Sequence, residues 1–126
     1  MSVLVPWLIA FATTQVVEVP IYMRALLERG GQVNGEGPVF ARWPAALAVA
    51  FAASAITHPI VWFVWPRVIS GDYVLMVAVA EAFAILAEAA WLRAFGLRRA
   101  LLWAGFANAA SVVFGMILDR VGCGLG

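Results

Sequence analysis

The chain contains no lysine, one cysteine and one histidine, and only 12% of its residues are charged. Each scarcity removes a class of function. A soluble domain is about half apolar and roughly a quarter charged. This chain is 65% apolar with a mean hydropathy of +0.98, so in water it would leave much apolar surface exposed. The lone cysteine, Cys123, excludes an internal disulfide and a thiolate metal cluster within one chain. It lies in the Gly-rich run Val121–Gly126 and reads as a free thiol, or as a lipidation or partner-link site. The lone histidine, His58, excludes bis-histidine haem and a His-Glu-x-x-His zinc motif. A net charge of +1 offers no global field to gather nucleic acid or acidic substrates, so no nucleic-acid partner is expected. No positive n-region precedes the first apolar segment, because Met1-Ser2-Val3 leads straight into it. That segment is expected to be a retained helix and not a cleaved signal peptide.

What the chain does have is long apolar runs. About 20 apolar residues cross the hydrocarbon core of a bilayer. Four segments qualify: Val3 to Met23, Pro44 to Trp65, Tyr73 to Leu92, and Ala100 to Leu118. All lack the period-2 alternation of a barrel strand, so helices are expected. The length of 126 residues suits one domain. The fold class is therefore all-α, a polytopic membrane protein of four transmembrane helices arranged as two antiparallel hairpins. Arg24, Arg29, Arg42, Arg93, Arg98 and Arg99 flank the first and third loops, against Arg67 and Arg120 on the other side. That bias puts both termini on the non-cytoplasmic side of a plasma (inner) membrane. Trp7, Trp43, Trp62, Trp65, Trp91 and Tyr73 fall near span ends, where they read as interfacial anchors. The stretch from Gly30 to Ala41 reads as a flexible cytoplasmic connector, and its glycines lack a phosphate-binding spacing.

Glu81 and Glu88 interrupt the third run. A carboxylate in hydrocarbon is costly and is tolerated where it faces a protein interior or a water-filled cavity. Each of the other runs carries a polar stripe that could face it. Thr14, Glu18 and Tyr22 share one face of the first helix, with Pro20 beside them; Ser54, Thr57 and His58 share one of the second, followed by Pro59. Asn108, Ser111 and Gly115 align on the fourth, and Ser111-x-x-x-Gly115 is a small-xxx-small pattern that permits close helix approach. Sorting by depth gives a ladder: His58 with Glu81 in the outer half, Asn108 between, Glu18 with Glu88 in the inner half. The two halves also echo each other. Glu18 precedes Arg24-Ala25-Leu26 as Glu88 precedes Arg93-Ala94-Phe95, and Phe51-Ala52-Ala53-Ser54-x-x-Thr57 parallels Phe106-Ala107-Asn108-x-x-Ser111. Such an internal repeat relates the hairpins by an axis along the membrane normal.

Glu18-Val19-Pro20-Ile21-Tyr22, Thr57-His58-Pro59, the Glu81 and Glu88 pair, and Asn108-x-x-Ser111-x-x-x-Gly115 together resemble a pattern of small prokaryotic four-helix integral membrane proteins. The resemblance implies a four-helix integral membrane protein and brings no activity with it. Ser54 stands where that pattern has Asn.

Three functions remain open on the residues. A transporter or channel component for protons, metal cations or a small solute would use Glu18, Ser54, Thr57, His58, Glu81, Glu88, Asn108 and Ser111 as its pathway. An accessory or structural subunit of a larger membrane complex would turn the same stripes toward neighbouring helices, with Asn108 and Ser111 as interhelical glue. A metal-dependent intramembrane enzyme would ligate a metal cation through Glu18, His58, Glu81 and Glu88. A serine hydrolase would need Ser54 to work with the adjacent His58, without a Gly-x-Ser-x-Gly turn. His58 is read as a core histidine, or as an axial ligand to haem or chlorophyll. Expected partners are the lipid bilayer and a second copy or a larger complex, since four helices of about 10 Å diameter enclose no wide lumen.

Overall fold

The computed structural model describes residues 3–27 and 42–120. The connector from Gly30 to Ala41, Arg29, and the tail with Cys123 lie outside the described residues. The four expected spans are four long helices: α1 (Leu4–Leu27), α2 (Trp43–Phe63), α4 (Tyr73–Ala94) and α5 (Ala100–Arg120), with a short α3 (Trp65–Val68) continuing α2. Each span, with α2 and α3 taken together, is long and apolar enough to cross a membrane.

Three helices run past the boundaries that charge suggests. α1 continues through Arg24 to Leu27, α4 through Arg93 to Ala94, and α5 through Asp119 to Arg120. A charge ends an apolar run without ending a helix, since a long side chain reaches back to water. The second span breaks at Val64, where Pro66 opens the single turn of α3. Asp72 caps α4 by accepting from the Leu75 amide at 3.0 Å. At its other end Gly96 takes a φ of 98°, and the Leu97 and Gly96 amides return to the Leu92 and Arg93 carbonyls. This Schellman closure tucks Leu97 fully into the core and turns the chain directly into α5.

The long helices form a ring. α1 packs on α2 and α5, and α4 packs on α2 and α5, while the two diagonals have no backbone approach. Neighbours are antiparallel. Along α1 the partners rise from Trp7 to Glu18 as those on α2 fall from Phe63 to Ser54. Glu88 and Trp91 of α4 likewise meet Thr57 and Val49 of α2.

The outside of the ring is apolar and the inside is small or polar. Val74 is 77% exposed, Leu102 68% and Phe106 60%, which is the surface a lipid tail covers. Among the described residues ten of the fifteen buried apolar side chains are alanines, so helices approach closely where contact and not solvent exclusion must hold them. Packing is uneven along the axis. The core of Tyr22, Leu26, Ala46, Leu92, Leu97 and Ala104 gathers at the end that carries Arg24, Arg93, Arg98 and Arg99. Toward the other end the helices part around a cavity.

Candidate functional site

The cavity has a volume of about 190 Å³. Its floor centres on Glu88. Glu88 of α4 is 2% exposed and accepts three hydrogen bonds, one from each other long helix. Tyr22 Oη of α1 donates to Oε1 at 2.5 Å, Asn108 Nδ2 of α5 to Oε1 at 3.0 Å, and Thr57 Oγ1 of α2 to Oε2 at 2.7 Å. Tyr22 therefore spans a diagonal that the backbones do not close. Asn108 is fixed in turn by donating to the Ala104 carbonyl at 2.8 Å. A buried carboxylate is costly until its lone pairs are served, and here every helix contributes to serving them.

Glu18 of α1 lies beside this joint, 1% exposed, and accepts from Ser54 Oγ of α2 at 2.5 Å. Ser111 of α5 faces the same carboxyl from the other hairpin. The two acids are thus matched settings. Each has one polar partner from its own hairpin (Ser54 for Glu18, Asn108 for Glu88) and one hydroxyl from the opposite hairpin (Ser111, Thr57). This is the arrangement the internal repeat implies for an axis along the bundle. Tyr22 breaks the match, because its counterpart in the second half is Leu92. Glu88 gains a third donor, and Glu18 has none to correspond.

Above the floor the cavity is walled by Thr14 of α1, His58 and Trp62 of α2, Glu81 of α4 and Gly115 of α5. All eight residues singled out as a pathway, Glu18, Ser54, Thr57, His58, Glu81, Glu88, Asn108 and Ser111, line this one space. Their pairing differs from the ladder. Asn108 bonds Glu88 directly and belongs to the floor. His58 stacks with Trp62 and packs against Phe11 and Trp7, at ring separations of 6.2, 5.3 and 6.2 Å. Its Nδ1 is buried without a hydrogen-bond partner, so that atom makes no pair with Glu81.

These contacts bear on the alternative chemistries. Among the described residues no group of three or more His, Cys, Asp or Glu side chains is arranged to hold a metal ion. Glu18, His58, Glu81 and Glu88 share the cavity without forming such a set. The Glu88 oxygens are taken by three donors, and the His58 ring packs against Trp7, Phe11 and Trp62. Ser54 donates to Glu18 and not to His58, so no serine–histidine couple forms through its hydroxyl. The small-xxx-small pattern also acts differently from its expected role. A Cβ on Gly115 would meet nothing within 4 Å; the missing side chain leaves cavity space and no close helix contact.

Two polar residues are missing from the expected pathway, Tyr22 even though it shares the stripe with Thr14 and Glu18. Tyr22 is fully buried and Gln15 is 8% exposed, its Nε2 donating to the Phe51 carbonyl at 3.3 Å and its Oε1 unpartnered. The signal for Tyr22 was its place four residues after Glu18 on one face. Beside the cavity, a cleft of about 460 Å³ runs along the seam between α2–α3 and α4 and shares Val61, Trp62 and Glu81 with it.

Comparison with family models, with curated proteins and with solved structures gave no match.

Proposed function

We propose that this chain is a small membrane transport protein whose cavity binds a cation, with Glu18 as the carboxylate that exchanges protons or solute and Glu88 as the joint that holds the helices around it. One observation carries the reading: two acids in matched settings share a cavity floor, and only one has its acceptors filled from all sides. A carrier needs this division of labour, one fixed acid and one able to change partners. Three carboxylates line the cavity, and among the described residues no arginine does, so the occupant is positively charged. Burial in a water-poor bundle strengthens that attraction.

The arginine-rich, closed end is the cytoplasmic one, by the charge bias of its loops, and the cavity opens to the opposite side. Proton flux in liposomes holding the purified chain tests the proposal. Wild type should carry flux and Glu18→Gln should abolish it with an unchanged unfolding midpoint, since glutamine still accepts from Ser54. Flux that survives Glu18→Gln, or its absence from wild type, would overturn the assignment.

A further inference from the structure

Resting on the transport reading, we infer that the solute is an amphipathic organic cation, such as a substituted ammonium ion, that enters from the side through the cleft between α2–α3 and α4. Protons and inorganic ions need no apolar chamber. Yet the central cavity adjoins a larger one, about 460 Å³ against about 190 Å³, and the two share Val61, Trp62 and Glu81. The rest of the cleft is Tyr73, Met76, Val77, Ala80 and Pro66. Its volume lies within the roughly 300–1,000 Å³ of small-molecule sites. One carboxylate set in an aromatic and aliphatic wall suits a charge carried on a greasy body.

The shared residues define how such a molecule would sit. Glu81 is the acid a cation meets on leaving the cleft, and Glu18 is the next one at the floor. Trp62 stands between the two spaces, 36% exposed, with His58 stacked behind it at 6.2 Å and Trp7 beyond at the same separation from His58. A backed indole is a preorganised face for a cation, which the ring quadrupole attracts. Met76 is an adaptable wall that accommodates irregular shapes. The cleft lies on the rim of the ring, where Tyr73 and Val77 are exposed, so a molecule dissolved among lipid tails reaches it without crossing the bundle. An inorganic ion has the poorer fit, because no set of three ligating side chains is assembled among the described residues.

Isothermal titration calorimetry on the full chain in detergent, with benzyltrimethylammonium chloride as the probe and sodium chloride as the charge-only control, tests this. Wild type should bind the probe and not sodium. Glu81→Gln and Trp62→Ala should each weaken binding by about tenfold or more, while Trp62→Phe retains most of it by keeping an aromatic face. Ala109→Leu, on the outer side of α5, should leave binding unchanged and serves as the folding control. No heat with the probe, or binding indifferent to both Glu81→Gln and Trp62→Ala, overturns the inference. The liposome assay keeps the two claims separable. Proton flux without probe binding sinks only the solute class, and loss of both sinks the transport reading with it.

Discussion

Removing the Glu88 side chain takes a hydrogen-bond partner from three helices at once. Interhelical hydrogen bonds inside membranes average about 0.6 kcal/mol each, so Glu88→Ala should destabilise the bundle by roughly 2 kcal/mol, and more where the orphaned donors stay dry. Tyr22→Phe removes one of the three and should cost about 0.6 kcal/mol. Denaturant titration in mixed micelles separates the two values; equal losses would mean that Glu88 is not the joint. Glu18, Glu88 and Asn108 were legible in the sequence because a polar group in an apolar run stands out and must face a partner. Which acid is fixed was not legible. Glu18 and Glu88 have similar local surroundings, and the difference lies in a tyrosine reaching across a diagonal that only the assembled ring defines. Tyr22 reads as part of the polar stripe with Thr14 and Glu18, but a shared face does not tell that its hydroxyl reaches the acid of the other hairpin. His58 shows the opposite error. It shares a helix face with Ser54 and Thr57, but the rings that enclose it come from α1 and from the next turn of α2, and neither is visible from spacing to Glu81.

At the level of the helices, length and composition were enough to give number, type and approximate ends. The ends shifted because charged residues close an apolar run before the backbone stops hydrogen bonding. What the pattern could not give was which small residues touch. Gly115 sits in a spacing that favours close approach and yet borders open space, whereas close packing is carried by alanines such as Ala100, Ala104 and Ala107, each buried. Alanine is common on every face of these helices, so its inward and outward copies look alike in sequence. α5 therefore supplies a paired test. Ala104→Leu, at a fully buried position, should overpack the closed end and cost about 1–3 kcal/mol. Ala109→Leu on the outer face should stay within about 0.5 kcal/mol of wild type. Unfolding midpoints measured side by side would reject the assigned faces if the two variants ranked the other way.

For the whole molecule the governing feature is its polarity along the axis. Two hairpins related by an axis along the bundle do not exchange its ends, so even matched hairpins leave the ends free to differ. The arginine-rich halves of the four long helices close on Tyr22, Leu26, Leu92 and Leu97, while the opposite halves part around His58, Glu81 and Gly115. The closed end is also the end where, among the described residues, most arginines lie, so packing and charge both distinguish the two ends, and the proposed orientation puts the closed end in the cytoplasm. Cysteine accessibility in cells tests that directly. In a Cys123→Ser background, Gly115→Cys sits on the cavity wall where added atoms meet no neighbour, and a membrane-impermeant maleimide added to intact cells should label it. Ala94→Cys, exposed at the arginine-rich end of α4, should be labelled only after the cells are opened. Prior addition of benzyltrimethylammonium should slow the first reaction and not the second, because only the first thiol shares the cavity with Glu18 and Glu81. Labelling of Ala94→Cys in intact cells would place the arginines outside and reverse the topology. Labelling of neither site until the bundle is denatured would mean the cavity is sealed from water, and a carrier built around Glu18 would then have no route for its cation.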